Sequence, residues 1–511
     1  MPIYKNKIAE RFGSLMHFNW TRLWLTTTVL LCLSCDQYLD EVPDNRVALD
    51  NLDKAQQLLT NAYSSSSYAF TDWMTDLVGF TQGVTIRPNH DEAFKWEEFT
   101  AGPTEQDTPI FFWFETYTAI AHANEVLAIL ETLPADTEIQ KAQKRAVESE
   151  ALLTRAYGHF MLVNLFAKHY DENTAVSDLG VPYVETPETV FLATYKRNTV
   201  QEVYDKVEAD MLRGLELVDE TFFSNSGKYH FNRNAALAFA SRFYLYKGEY
   251  DQCADFSTQL LGASPDAFIR DFTSQEFQDA SSSIQGYPQL YSSPNQGSNL
   301  MLMRKISLVQ RTDFAHRPTD ELYSGLYQAN PFIGTTDQRQ NPAFVKGING
   351  TFPVRYESLF ERSSLNSNVG LPYHIALAFR GEEVLLNRAE ANIFLNRVDQ
   401  TISDLQVLVN RRYSGNSAPV ISIPLLRAFF GVTNAPQISD RVVLLEFLLL
   451  EKQKEFITQG LRWFDLKRYE IPVEHILGEG TRLRLEEDDL RKVLQIPTSA
   501  IDVGGLEPNP R

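Results

Sequence analysis

The chain has 511 residues, 43% hydrophobic and 22% charged, a composition that builds a substantial core and excludes wholesale disorder. Its 47 basic residues stand against 66 acidic ones for a net charge of −19. A surface of that sign repels polyanions, which argues against nucleic acid as a partner.

From the N-terminus, Lys5, Lys7, Arg11 and Arg22 precede an apolar run from Leu23 to Leu33, too short to span a bilayer but suited to the core of a secretory signal. The run closes on Leu31-Cys32-Leu33-Ser34-Cys35 and gives way to Asp36-Gln37-Tyr38-Leu39-Asp40. This pattern predicts cleavage after Ser34, so that residues 1–34 are a lipoprotein signal peptide, started at Met1 or Met16, and Cys35 becomes the acylated N-terminus. Cys32 and Cys35 are also spaced C-x-x-C, but a redox pair needs an electropositive turn, not an apolar signal. Processing would shift the net charge to −22 and leave Cys35 and Cys253 as the remaining cysteines. With Cys35 acylated, no intramolecular disulfide is available, and Cys253 reads as a buried thiol. No later segment reads as a transmembrane helix, so attachment would rest on lipid such as palmitate.

Helical periodicity dominates the rest of the chain. Leu52, Ala55, Leu58, Leu59 and Ala62 form one apolar stripe, Leu153, Ala156, Tyr157, Phe160, Val163 and Ala167 a second, and Tyr204, Val207, Met211, Leu215 and Val218 a third. Asn234 to Leu261 reads as helix, turn at Gly248, helix, and Glu383 to Arg412 repeats this with Asn396 at the turn, the pattern of tetratricopeptide units. One such pair cannot cover its own apolar face. The expected fold is therefore mostly α, a single large body in which these pairs stack into a right-handed helical layer. Between the pairs, residues 270–370 carry Ser281-Ser282-Ser283, Gly286-Tyr287-Pro288 and Pro318, Pro331 and Pro342, and are expected to be a loop-rich insertion with short strands at most. This divides the chain into a helical region 35–269, the insertion 270–370 and a C-terminal region 371–511.

The chemistry of the common enzymes is missing from the sequence. The nine histidines form no H-E-x-x-H motif or close pair, and no metal site is expected. There is no phosphate-cradling G-x-x-x-x-G-K, no dinucleotide G-x-G-x-x-G and no G-x-S-x-G elbow, so no cofactor is expected. Asp171-Glu172-Asn173 begins like a calcium loop, but Ala175 and Val176 occupy positions where an oxygen ligand and glycine are needed.

Tyr38-Leu39-Asp40 with Pro43, the Trp113, Tyr117, Ile120, Ala123-Asn124 helix, Glu150 with Arg155-Ala156-Tyr157 and Phe160, Gly180-Val181-Pro182, and Glu451 to Arg468 occur in that order along the chain. Together they resemble the SusD/RagB family, surface lipoproteins of Bacteroidota that deliver nutrients to TonB-dependent transporters. Lys452 and Gln459 depart from the family's Arg and Glu. Glu451 and Glu455 lie one helical turn apart, and Arg462 and Asp465, past the stop at Gly460, are placed to join their ion pairs, so this signature reads as scaffold rather than a catalytic centre.

The resemblance implies a non-enzymatic protein, lipid-anchored on the outer face of the outer membrane, that captures oligosaccharides, or in some relatives peptides, and passes them to a SusC-like TonB-dependent transporter. In relatives, the glycan lies on a shallow surface where aromatic rings stack on sugar faces. The candidate ligand-binding residues are Trp73, Arg87, Asn89, Phe94 and Trp96, then Tyr287, Tyr291 and Arg317 in the insertion. Trp96 leads because Lys95, Glu97 and Glu98 surround it with polarity. Two competing readings are a lipid-anchored polysaccharide hydrolase and a structural tetratricopeptide lipoprotein of membrane assembly.

Overall fold

Each long helix begins where a short polar side chain satisfies its first free N–H groups. Thr137 and Thr199 form reciprocal capping boxes with Gln140 and Glu202 at the starts of Glu138–Phe166 and Val200–Leu217. Thr108, Asn232 and Ser439 cap Pro109–Leu130, Arg233–Lys247 and Asp440–Phe456. These ranges come from a computed structural model that describes residues 49–511 apart from 191–192, 224–225, 311–313 and 346–347. The signal segment, Cys35, Tyr38-Leu39-Asp40 and Pro43 lie outside the described residues. Asp50–Arg511 form one compact unit. Among the described residues no helix is long and apolar enough to cross a membrane.

Both predicted helix pairs are present. Arg233–Lys247 turns at Gly248 into Tyr250–Leu261, and Gly381–Phe394 turns at Asn396 into Val398–Asn410. Gly248 and Asn396 are left-handed, at φ 80° and 59°. In each turn the next N–H reaches back five residues, Glu249 to the Tyr244 carbonyl at 3.0 Å and Arg397 to that of Asn392 at 2.8 Å. The Gly381–Phe394 helix packs between Tyr250–Leu261, Val398–Asn410 and Asp440–Phe456, which fuses the two pairs into one layer. Cys253 is buried in that seam, 3.6 Å from the Asn387 carbonyl, and burial pushes its thiol up to about 12.

The second apolar stripe faces inward along its whole length. At Gly158 the Pro109–Leu130 helix approaches so closely that an added Cβ would lie 2.9 Å from Ile120 Cγ1. Arg155, on the same helix, clamps Asp210 with two bonds of 2.7 and 2.8 Å and donates to Asn124 and the Glu185 carbonyl at 3.1 Å. One guanidinium thus ties three segments together.

The insertion carries more regular structure than its composition suggests. Asn299–Ile306 pairs antiparallel with Gly370–Arg380, and Leu359–Arg362 adds a third strand. The expectation of short strands at most fails because Asn299 to Met303 are buried on both faces. Such a strand is apolar throughout and lacks the alternation that marks a half-exposed one.

The segment Glu451 to Arg468 is a buried ionic core. Glu451 accepts from Arg339 at 2.7 Å and from the Tyr413 hydroxyl at 2.6 Å, and Glu455 accepts from Arg412 at 2.8 and 3.0 Å. Burial alone would raise the Glu455 carboxyl, but Arg412 and Arg339 hold it at about 2. Arg462 does not join them. It forks onto Asp76 at 3.0 and 2.7 Å, beyond the left-handed Gly460. Asp465 takes Arg468 at 2.7 Å instead. Gln459 accepts from Arg380 and from the Tyr356 hydroxyl at 3.0 Å, so the position that departs from the family pattern is satisfied as a neutral acceptor.

Candidate functional site

The segment Gly79 to Trp96 builds a shallow groove over an aromatic column. Gly79–Phe80 pairs with His316–Arg317, and Pro88, whose missing N–H costs nothing in the first turn, starts the Pro88–Lys95 helix. That helix stops at Trp96, which is left-handed at φ 55°, while the Glu97 N–H returns to the Glu92 carbonyl at 2.9 Å. The reversal turns the Trp96 ring inward while Glu97 and Glu98 stay in solvent. Its indole N–H donates to the Met74 carbonyl at 2.9 Å.

Beneath the groove the rings are stacked. His475 lies between Phe94 and Trp96, with centroids 4.0 and 4.3 Å away. His90 lies 3.5 Å from Trp73 and meets Phe314 edge-on at 4.5 Å. His316 leans on Phe94 at 4.6 Å, with Nε2 3.3 Å from Asp91, and burial pushes its imidazole down to about 4.

The groove itself has a volume of about 490 Å³, within the range of ordinary ligand sites. Phe80, Ile86 and Leu477 give it apolar surface, and Gln82, Lys95 and Glu479 supply polar groups. Lys95 is bound to Asp91 at 2.5 Å, and that bond raises its ammonium despite some desolvation. Gly478 crosses the edge of the Phe80 ring, where a Cβ would fall 2.6 Å from Cε1. The site therefore offers a half-exposed ring beside hydrogen-bonding side chains, and its one lysine is already neutralised by a neighbour.

The residues singled out in the sequence divide into two groups. Trp73, Asn89, Phe94, Trp96 and Arg317 come together around the column, all less than one-tenth exposed, and Arg87 is half-buried with its guanidinium 4.9 Å over Phe314. Tyr287 and Tyr291 are 1% exposed in a separate cluster with Phe272, Phe277 and Tyr356. Arg317 belongs with the first group through its strand pairing, not with the tyrosines of its own insertion. The expectation that these rings stand free to stack on a ligand is corrected for Trp73, Phe94, Trp96, Tyr287 and Tyr291, whose faces are covered by neighbouring side chains. For Trp96 the polar neighbours in sequence mislead, because a left-handed residue separates its own direction from theirs. Phe80, Ile86, Leu477 and Glu479 are missed by the sequence reading. Leu477 to Gly480 reads as a hairpin turn, but nothing local ties it to residue 80.

Residues 37–245 match a SusD-like family model described as starch-binding and associating with the outer membrane, and residues 363–497 match the SusD/RagB model of the SusD family. The chain belongs to the SusD/RagB family. A SusD-like protein of Formosa agariphila is 22% identical, over 88% of this chain and 92% of that one. Among solved structures, a SusD superfamily protein from Bacteroides thetaiotaomicron is 20% identical with a TM-score of 0.65, covering 90% of this chain and 100% of that one. A putative sugar binding protein from Bacteroides vulgatus is 18% identical with a TM-score of 0.68, covering 91% and 99%. A laminarin binding SusD-like protein is 17% identical with a TM-score of 0.58, covering 90% and 99%.

In this member of the family, Glu451 and Glu455 are buried and engaged with Arg339, Tyr413 and Arg412. Among the described residues, no group of three or more His, Cys, Asp or Glu is placed to hold a metal ion.

Proposed function

We propose that this SusD-family protein is a surface binding protein that captures a neutral oligosaccharide in the groove beside Phe80 and delivers it to a SusC-like TonB-dependent transporter. Acylation at Cys35 would anchor it to the outer face of the outer membrane. The observation that carries this reading is the pairing of a half-exposed Phe80 ring with a polar rim in a groove of about 490 Å³. Sugars have apolar C–H faces and hydroxylated edges, so a ring flanked by Gln82, Asp91 and Glu479 suits them. Neutral ligands are favoured because Lys95 is consumed by Asp91 while Glu479 adds negative charge. The laminarin-binding relative supports the ligand class, and the outer-membrane description of the matching family supports the location. Trp73, Phe94 and Trp96 would then act as the support that holds the groove in shape. Tyr287 and Tyr291 would brace the insertion.

Isothermal titration of the purified protein with neutral laminari-, malto-, xylo- and manno-oligosaccharides, beside sulfated and uronic ones, tests the reading. Binding to a neutral member, weakened by Phe80→Ala and without release of shorter products, is expected. Release of products would favour a hydrolase, and binding indifferent to Phe80→Ala would overturn the site. Capture of a TonB-dependent transporter on tagged protein from native membranes, and loss of palmitate labelling in Cys35→Ala, test delivery and anchoring.

A further inference from the structure

A second cleft, of about 460 Å³, shares no residue with the groove. It opens between the Thr60–Ser65 segment, the helix face carrying Glu115 and His122, residues Tyr229 and His230, and the strand at Leu302–Arg304. One wall is built around a buried carboxylate. Glu150 is fully buried, and its Oε1 accepts both the Tyr63 hydroxyl and His230 Nδ1, the latter at 2.6 Å. The Tyr63 oxygen in turn accepts the Phe231 N–H at 2.9 Å, and Phe223 stacks on the His230 ring at 4.6 Å. The imidazole is thereby fixed in both position and tautomer. With Nδ1–H given to Glu150, Nε2 is the ring nitrogen left to meet a ligand, and in the neutral form of the ring it offers a lone pair.

Burying a carboxylate this deeply costs free energy that core packing alone would not require, and its effect here is to orient a ring that lines a cleft. Two further features define what the cleft would hold. Tyr229 is 41% exposed and offers a ring face, and Glu115, which accepts from Ser65 Oγ at 2.5 Å, adds a second acceptor. Arg304 brings no uncommitted positive charge, since it pairs with Glu361 and stacks on Tyr373. Acceptors and an aromatic face without an uncommitted cation suit a neutral, hydroxyl-rich ring and disfavour anions.

We propose that this cleft is a second saccharide site, in which His230, oriented by Glu150, accepts a hydrogen bond from a hydroxyl of a single sugar unit lying against Tyr229. The inference shares the saccharide reading of the protein but not its groove. The test is carbethoxylation of His230 by diethyl pyrocarbonate, followed by mass spectrometry, on the full-length protein in a sugar-free detergent. The probe is a millimolar mixture of maltose, cellobiose, laminaribiose, xylobiose and mannobiose. The mixture is expected to slow His230 modification severalfold in the wild type and in Phe80→Ala, and to lose this effect in Tyr229→Ala, whose exposed side chain can be removed without disturbing the core. An unchanged rate, or protection that survives Tyr229→Ala, overturns the second site. If that occurs while Phe80-dependent oligosaccharide binding persists, the second site alone falls. Loss of both removes the saccharide reading altogether.

Discussion

The ionic core at Glu451–Arg468 and the groove at Phe80–Lys95 use the same side-chain types to opposite ends. In the core, carboxylates and guanidinia are buried together and every partner is dictated by its neighbour, as with Glu455 between Arg412 and Arg339. In the groove, Lys95 and Asp91 form a partly exposed pair one helical turn apart, and Gln82 and Glu479 are solvated. Buried charge fixes a geometry because an unpaired ion there is very costly, whereas exposed charge can exchange water for a ligand at small cost. The family signature therefore holds the framework, while the exposed rim is free to meet a ligand under the function proposed above.

The difference can be broken from the core outward. Arg412→Ala should leave buried Glu455 with only the longer Arg339 contact at 3.3 Å and Glu382 with Arg270 alone, and cost about 3–5 kcal/mol, read as a lower urea midpoint, with ligand affinity unchanged in the fraction that remains folded. Equal stability of mutant and wild type would sink the reading of this network as framework. Trp96→Ala removes the ring that covers one face of His475 and should cost about 3–5 kcal/mol, with ligand binding in the groove weakened as well because the stack that supports it loosens. A stable Trp96→Ala protein that merely binds more weakly would restore Trp96 as a direct contact.

Acidification provides a third test. Burial lowers His159, His169 and His374 to about 3 and His316 to about 4, from 6.5, so unfolding takes up protons between those values. Stability from these groups is complete above pH 6.5 and falls as pH drops toward 4, by about 2 kcal/mol for each imidazole at pH 5. Asp72 and Asp107, raised by burial to about 8 and about 6, act in the opposite sense but are fewer. Urea melts at pH 7.5 and pH 5 should show net destabilisation at the lower pH, and a flat profile would contradict the buried, neutral imidazoles. Phe80→Ala should lower the urea midpoint less than either substitution above, since the ring is only half-buried, and weaken oligosaccharide binding about tenfold, roughly 1.4 kcal/mol. Smallest of all, Glu479→Gln should alter stability by less than about 0.5 kcal/mol and neutral-sugar affinity little, while relaxing discrimination against uronic oligosaccharides. Unchanged discrimination would remove charge as the basis of selectivity.

Much of the framework was legible in the chain because its signals are local. The stripes at Leu153–Ala167 and Tyr204–Leu215 repeat within a few residues, and Gly248 and Asn396 announce left-handed turns by residue type alone. The Asn299–Ile306 strand was not legible, since burial on both faces erased its alternation.

The site obeyed the same division. Sequence by itself determined the helical pairs and the family signature, because periodicity, turn chemistry and ordered motifs are properties of neighbouring residues. Only the tertiary structure decided that the Trp96 ring is buried rather than an open platform, that Glu455 pairs with Arg412 rather than Arg462, and that Phe80 meets Leu477 and Gly478 from far along the chain. Burial and long-range pairing depend on which surfaces the fold brings together, and neither is encoded in spacing along the backbone.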